Sequence, residues 1–167
     1  MLSIQKASSK DILIIRELAE KVWPQTYSPI QSAEQISYMM ELIYSPGSLR
    51  RQMENGHQFI LLFDEENAVG FASYSEMEPS LFKLHKLYIL PGGQGRGAGR
   101  FMVDFIIKDI KMKGATSLLL NVNRKNKAKS FYEKLEFKVI REEDIDIGGG
   151  YFMTDYVMEK NLINNDL

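Results

Sequence analysis

The stretch Leu87-Tyr88-Ile89-Leu90-Pro91-Gly92-Gly93-Gln94-Gly95-Arg96-Gly97-Ala98-Gly99-Arg100 constrains this chain more than any other. A strand-like apolar run enters a loop holding five of the chain's twelve glycines, and a helical run follows. Glycine lets backbone N–H groups approach a ligand with no Cβ in the way. The first amides of a helix lack internal acceptors and lie at the positive end of its dipole. Together they make an anion site suited to a phosphate or pyrophosphate, with Arg96 and Arg100 adding side-chain charge. The plainer alternative is a flexible loop whose glycines serve only helix–strand packing, which leaves their entropy cost without return.

Around this segment the chain alternates strands and helices. Leu2 to Ala7 reads as a strand, and Ser8-Ser9-Lys10-Asp11 opens a helix that Trp23-Pro24 ends, because the residue before proline avoids the α region. A second helix begins at Ser32 and carries Tyr38, Met39 and Leu42. Phe59 to Phe63 and Ala68 to Ser75 form a hairpin, and Leu81 to Leu90 is the next strand. Ala98 to Lys113 reads as a helix apolar nearly all round and largely buried, with Gly114 as its C-cap. Thr116 to Val122 holds consecutive leucines, the pattern of a strand buried on both faces. Asn126 to Leu135 is a short helix, and Phe137 to Ile147, Gly148-Gly149-Gly150 and Tyr151 to Lys160 make a closing hairpin. The expected order is β-α-α-β-β-β-α-β-α-β-β over residues 1–167 as one domain, an α/β (α+β) fold with a mixed sheet and helices on both faces.

Two phosphate-binding motifs are absent. No Gly-Lys-Ser/Thr ending completes a Walker loop, and a dinucleotide fingerprint built on Gly95 and Gly97 would need glycine where Arg100 stands. Gln94 through Gly99 instead resembles the Gln/Arg-x-x-Gly-x-Gly/Ala motif of the GNAT superfamily of N-acetyltransferases. Leu87-Tyr88-Ile89 resembles that family's splayed strand, and Asn126-Lys127-Ala128-Lys129-Ser130-Phe131-Tyr132-Glu133-Lys134-Leu135-Glu136-Phe137 its second motif. Asn126 stands one residue closer to the alanine than the usual pattern, and Glu136 replaces the customary glycine. If that position is left-handed, Glu136 costs about 1 kcal/mol.

The resemblance implies a GNAT fold with a mostly antiparallel sheet of six or seven strands. It implies acetyl-CoA as cosubstrate, an amine acceptor and, as a recurrent assembly, a homodimer. The cofactor contacts it implies are Leu87, Tyr88, Ile89, Gln94, Gly95, Arg96, Gly97, Ala98, Gly99, Arg100, Asn123, Asn126 and Lys129, with Lys129 or Arg124 at the 3′-phosphate. Tyr132 shares a helical face with Ala128, Phe131 and Leu135, which alone marks a core residue. The resemblance gives its hydroxyl the role of protonating the departing thiolate. The amide of Ile89 is the expected oxyanion donor.

His85 is the candidate base. It titrates near neutrality and shares a strand face with Lys83, although a plain sheet histidine fits as well. Lys83 on that face is unexpected beside a cationic acceptor, and His57 receives no role. Trp23, Tyr27, Tyr38, Met39 and Tyr44 read as core rather than pocket. The closing strand resembles the PaiA-like polyamine acetyltransferases, which makes a polyamine the first acceptor and a protein N-terminus, as in ribosomal-protein acetyltransferases, the second. A CoA-binding module without activity is the third reading.

Composition narrows the rest. The chain has no cysteine, which removes a disulfide framework, a thiolate zinc site and a cysteine nucleophile, and no metal is expected. With 21 basic and 22 acidic residues and a net charge of −1, a nucleic-acid partner is not expected. The longest pure apolar run, Phe59 to Phe63, is far too short for a membrane span, so a cytoplasmic location is expected.

Overall fold

The computed structural model describes residues 1–163. Its strands are β1 (Leu2–Ala7), β2 (Gln58–Asp64), β3 (Asn67–Glu78), β4 (Leu81–Ile89), β5 (Ser117–Asn123), β6 (Lys138–Gly148) and β7 (Tyr151–Asn161). Its helices are α1 (Ile12–Tyr27), α2 (Ala33–Tyr44), α3 (Pro46–Glu54), α4 (Ala98–Lys111) and α5 (Ala128–Lys134). The strands form one sheet in the order β1-β2-β3-β4-β5-β7-β6, antiparallel throughout except between β4 and β5.

Each sheet face buries its own core. Met102, Ile106 and Ile110 of α4 close over Ile60, Leu62, Leu84, Leu118 and Leu120 on one side. Ile15, Trp23, Met39, Tyr44 and Leu49 from α1, α2 and α3 close over Phe59, Leu61 and Phe71 on the other. The two α4 faces differ: Met102 and Ile106 are wholly buried while Phe101 is exposed, so the helix is amphipathic rather than buried all round. On β5, Leu118 and Leu120 are buried but Leu119 only partly, because that strand's second face fronts a cavity instead of a helix.

Two helical boundaries differ from expectation. α1 continues through Trp23 and Pro24 to Tyr27. Pro24 forfeits one backbone bond, and burial of Trp23 and Tyr27 outweighs it, with Trp23 Nε1 donating to Tyr44 Oη at 3.0 Å. α3 was not anticipated. Its interior is short and polar, yet its start is marked: Ser45 Oγ accepts from Ser48 N–H at 3.3 Å and Pro46 stands in the first turn.

The feature that positions the site lies between β4 and β5. They pair only from Leu81 to Leu84 against Ser117 to Leu120, and beyond that they splay. Leu90 N–H donates to Val69 C=O on β3, so alternation turns the Ile89 N–H toward the gap. Gln94 Nε2 donates to the Ile89 carbonyl at 2.8 Å, which ties the loop to the open edge. A β-bulge between Leu84 and Lys86 changes the phase of β4 at His85.

Candidate active site

On the α4 side of the gap a cavity of about 580 Å³ opens. Its floor is the start of α4. Phe101 N–H is the first in the helix to reach a helical acceptor, Gly97 C=O, which leaves the Ala98, Gly99 and Arg100 amides facing outward. Gly95 and Gly97 hold φ of +85° and +71°, a region a side chain rarely adopts. Gly99 leaves room for the Phe131 ring: a Cβ there would stand 2.7 Å from Phe131 Cζ, so the ring would have to shift. Leu87, Tyr88, Ile89, Gln94, Gly95, Gly97, Ala98, Gly99, Arg100 and Asn126 all line this cavity, and so does Tyr132. The Tyr132 ring meets Phe131 and Phe137 edge-on at 5.0 and 5.6 Å. Burial pushes its hydroxyl well above the ordinary tyrosine range, aided by Tyr27, so it stays protonated. Val22, Thr26, Ala128 and Phe131 complete the wall; the sequence carried no signal for the α1 pair.

Four expected cofactor residues stand outside this cavity. Arg96 is drawn to Asp64, Nη2 to Oδ2 at 2.8 Å. Lys129 Nζ lies 4.8 Å from the centroid of the Tyr156 ring. Asn123 fronts the opposite cavity, where alternation along β5 sets it with Asn121, and its Oδ1 accepts from Lys125 N–H at 2.9 Å. Arg124 is held by Glu142 and Asp144 on β6. Asn126 does line the cavity, but its Oδ1 accepts from Ala128 N–H at 2.9 Å and so opens α5.

On the α1–α3 side a second cavity of about 340 Å³ lies against β4. Its lining includes Trp23, Tyr27, Met39 and Tyr44, so side chains expected in the core serve as both core and wall. Tyr88, whose hydroxyl bonds that of Tyr27 at 2.9 Å, lines both cavities and the cleft between them. His85 is hydrogen-bonded to Ser75 Oγ at 2.7 Å and stacked on His57 with ring centroids 4.1 Å apart. Burial, with His57, Lys86 and Lys83 nearby, lowers His85 to about 3, which makes it a weak proton acceptor at neutral pH. Burial also lowers Lys86 to about 8, with Lys83 adding to the effect. Asp155 moves the other way: burial raises it, against a hydrogen bond from Asn121 Nδ2 at 3.2 Å. Lys86, Asp155 and Gln52 also line this cavity, and no motif in the sequence marks them. Among the described residues no cluster of three potential ligands forms a metal site, and no helix is long and apolar enough to cross a membrane.

Residues 27–160 match the model of the acetyltransferase (GNAT) domain family. The chain belongs to that family. As a GNAT acetyltransferase it takes its acyl group from acetyl-CoA, and the outward amides at the start of α4 suit the phosphates that acetyl-CoA carries. The chain is similar to PaiA N-acetyltransferase of Thermoplasma acidophilum, solved in complex with coenzyme A, at 29% identity and TM-score 0.81, covering 96% of this chain and 99% of that one. It is 27% identical over 148 residues to an uncharacterised N-acetyltransferase of Mycobacterium tuberculosis H37Rv, covering 87% of this chain and 94% of the relative. It is 30% identical over 111 residues to the ribosomal protein bS18-alanine N-acetyltransferase of Haemophilus influenzae, covering 65% and 70% respectively.

Proposed function

We propose that this GNAT acetyltransferase moves the acetyl group directly onto a primary amine held against the α1–α3 face of β4. The observation that carries the reading is the shared wall: one cavity suits the cofactor, the other an acceptor, and Tyr88 borders both where β4 and β5 part. Direct attack needs both reactants bound at once, and two cavities meeting at one gap provide for that. Acetyl-CoA supplies the activated acyl carbon and a thiolate leaving group.

The protein's own groups divide the remaining work. The Ile89 N–H faces the gap and donates to the acyl oxygen as charge builds there. Tyr132, kept protonated by burial, gives its proton to the departing sulfur. Asp155 takes a proton from the incoming ammonium. It lines the acceptor cavity, and its raised proton affinity makes it a better acceptor than His85.

Steady-state kinetics tests the order of events. Intersecting lines in a two-substrate plot are expected, and parallel lines would point to an acyl-enzyme and overturn direct transfer. Tyr132→Phe should lower kcat roughly 100-fold while the calorimetric Kd for acetyl-CoA holds. An unchanged kcat would reduce Tyr132 to packing.

A further inference from the structure

The acceptor cavity is more positive than an amine site requires. Strict alternation from Lys83 and His85 would send Lys86 to the α4 side, into the core around Leu84. The bulge at His85 instead brings Lys83, His85, Lys86 and Tyr88 onto one cavity. Lys86 is only 9% exposed. Its Nζ donates to Gln52 Oε1 at 2.6 Å, with the rings of Phe59 and Tyr44 at 5.4 and 5.9 Å. Gln52 offers a dipole and no charge, and it is itself anchored, its Nε2 donating to Ile43 C=O at 2.8 Å and Ser48 Oγ at 3.1 Å.

Among the described residues no carboxylate pairs with this ammonium. The lysines that form ion pairs among the described residues are Lys6, Lys113 and Lys160, away from the cavity. Asp155 and Glu143 act on Lys83 from a distance, and they are engaged by Asn121 and Arg141 respectively. Burying an unpaired charge is unfavourable, so the fold keeps Lys86 against its own stability. The positive field is felt locally: His57 is lowered by burial and then by Lys86 and Lys83.

We propose that the acceptor is a small primary amine that also bears a carboxylate, an amino acid in the simplest case, and that Lys86 receives the carboxylate with Lys83 beside it. This rests on the acetyl-transfer reading above and narrows its substrate class. Asp155 on β7 meets the ammonium and Lys86 on β4 the carboxylate, so one small cavity reads both charges of a zwitterion. A polyamine would add positive charge beside two lysines and leave Lys86 without a counter-ion. A volume of about 340 Å³ lies at the lower end of the range for small-molecule sites, as an amino acid requires.

Matched acceptor pairs that differ by one carboxylate test this: lysine with 1,5-diaminopentane, ornithine with 1,4-diaminobutane, tyrosine with tyramine. Release of the CoA thiol gives kcat/KM for each. In the wild type the carboxylate member of at least one pair should lead by roughly tenfold or more, the size of a charge-assisted hydrogen bond. Lys86→Met should collapse that ratio toward one, and Lys86→Arg should restore part of it. Should the Met variant fail to fold, the same ratio in Lys86→Gln decides. A second readout needs no turnover: sodium propionate, against sodium chloride at equal ionic strength, should raise the Tm of the wild type and not of Lys86→Met. A lead for the diamines, or a ratio unchanged in Lys86→Met, overturns the proposal and leaves acetyl transfer standing. A propionate effect confined to the wild type, with acetyl-CoA bound and no amine of either kind acetylated, supports the anion site and sinks the transfer reading. Absence of both turnover and the propionate effect sinks both.

Discussion

The two cavities beside β4 are built by opposite means. The α4 side works with backbone: outward amides, two glycines at positive φ and one glycine pressed on Phe131. The α1–α3 side works with side chains: Lys86, Asp155, Gln52 and a shell of aromatic rings. Backbone recognition suits a phosphate, whose charge is spread over several oxygens and met by several N–H groups. Side-chain recognition places single charges at single points, which suits a small molecule with a charge at each end. On the reading proposed above, one face keeps its cofactor while the other is altered for a different acceptor.

The largest expected effect separates the faces outright. Gly97→Trp puts a bulky side chain into open space at the mouth of the cofactor cavity, on a backbone with φ +71°. Loss of two or more N–H contacts to a charged phosphate should weaken acetyl-CoA binding about 100-fold or more by calorimetry. The Tm rise from propionate should survive, because Lys86 lies across the sheet. If Gly97→Trp erased the propionate effect as well, the two faces would be one coupled site.

Next is the proton. Burial raises Asp155 above its ordinary value, so as pH falls it becomes protonated and can no longer accept the amine proton. The rate should therefore fall along an acid limb set by Asp155. His85, at about 3, is neutral across that window. Asp155→Asn should slow turnover by roughly 100-fold and abolish the limb. A limb that persists in Asp155→Asn and disappears in His85→Gln would return the base to His85.

The same contrast explains what could be read from the chain. Backbone recognition prints itself locally, since amides that converge on one ligand come from consecutive residues, and Gln94 to Gly99 was legible for that reason. Side-chain recognition does not: Gln52, Lys86 and Asp155 sit on α3, β4 and β7 and meet only after the sheet is assembled. The bulge at His85 is the sharpest case, because no residue type marks it and it reverses the face of every later residue on β4. Asn123 is a different case: the motif assigns it to the cofactor, and the structure sets it beside the opposite cavity. Period two along β5 already sets it with Asn121, and following the strand instead of the motif would have sent it to the acceptor side. Pro24 was read by its local rule, and the buried Trp23 and Tyr27 overrode that rule from outside the segment.

The smallest expected effect isolates the backbone of the cofactor side away from its ligand. Glu136 follows α5 with φ +71°, the left-handed conformation that the replaced glycine of the motif would adopt freely. A side chain there costs about 1–2 kcal/mol, and glycine returns up to about 1 kcal/mol through the unfolded chain. Little else holds the residue. Glu136 is 87% exposed on its side chain and its one ion pair, with Lys160 at 3.9 Å, is worth almost nothing there. Lys160 Nζ keeps its bond to the Leu135 carbonyl at 2.6 Å in any case. Glu136→Gly should thus stabilise the protein by about 0.5–1 kcal/mol in denaturant unfolding, with acetyl-CoA affinity and the acceptor ratio unmoved. A change in acetyl-CoA affinity would mean that strain at the far end of α5 reaches Tyr132, and that the cofactor face is not governed by the glycine loop alone.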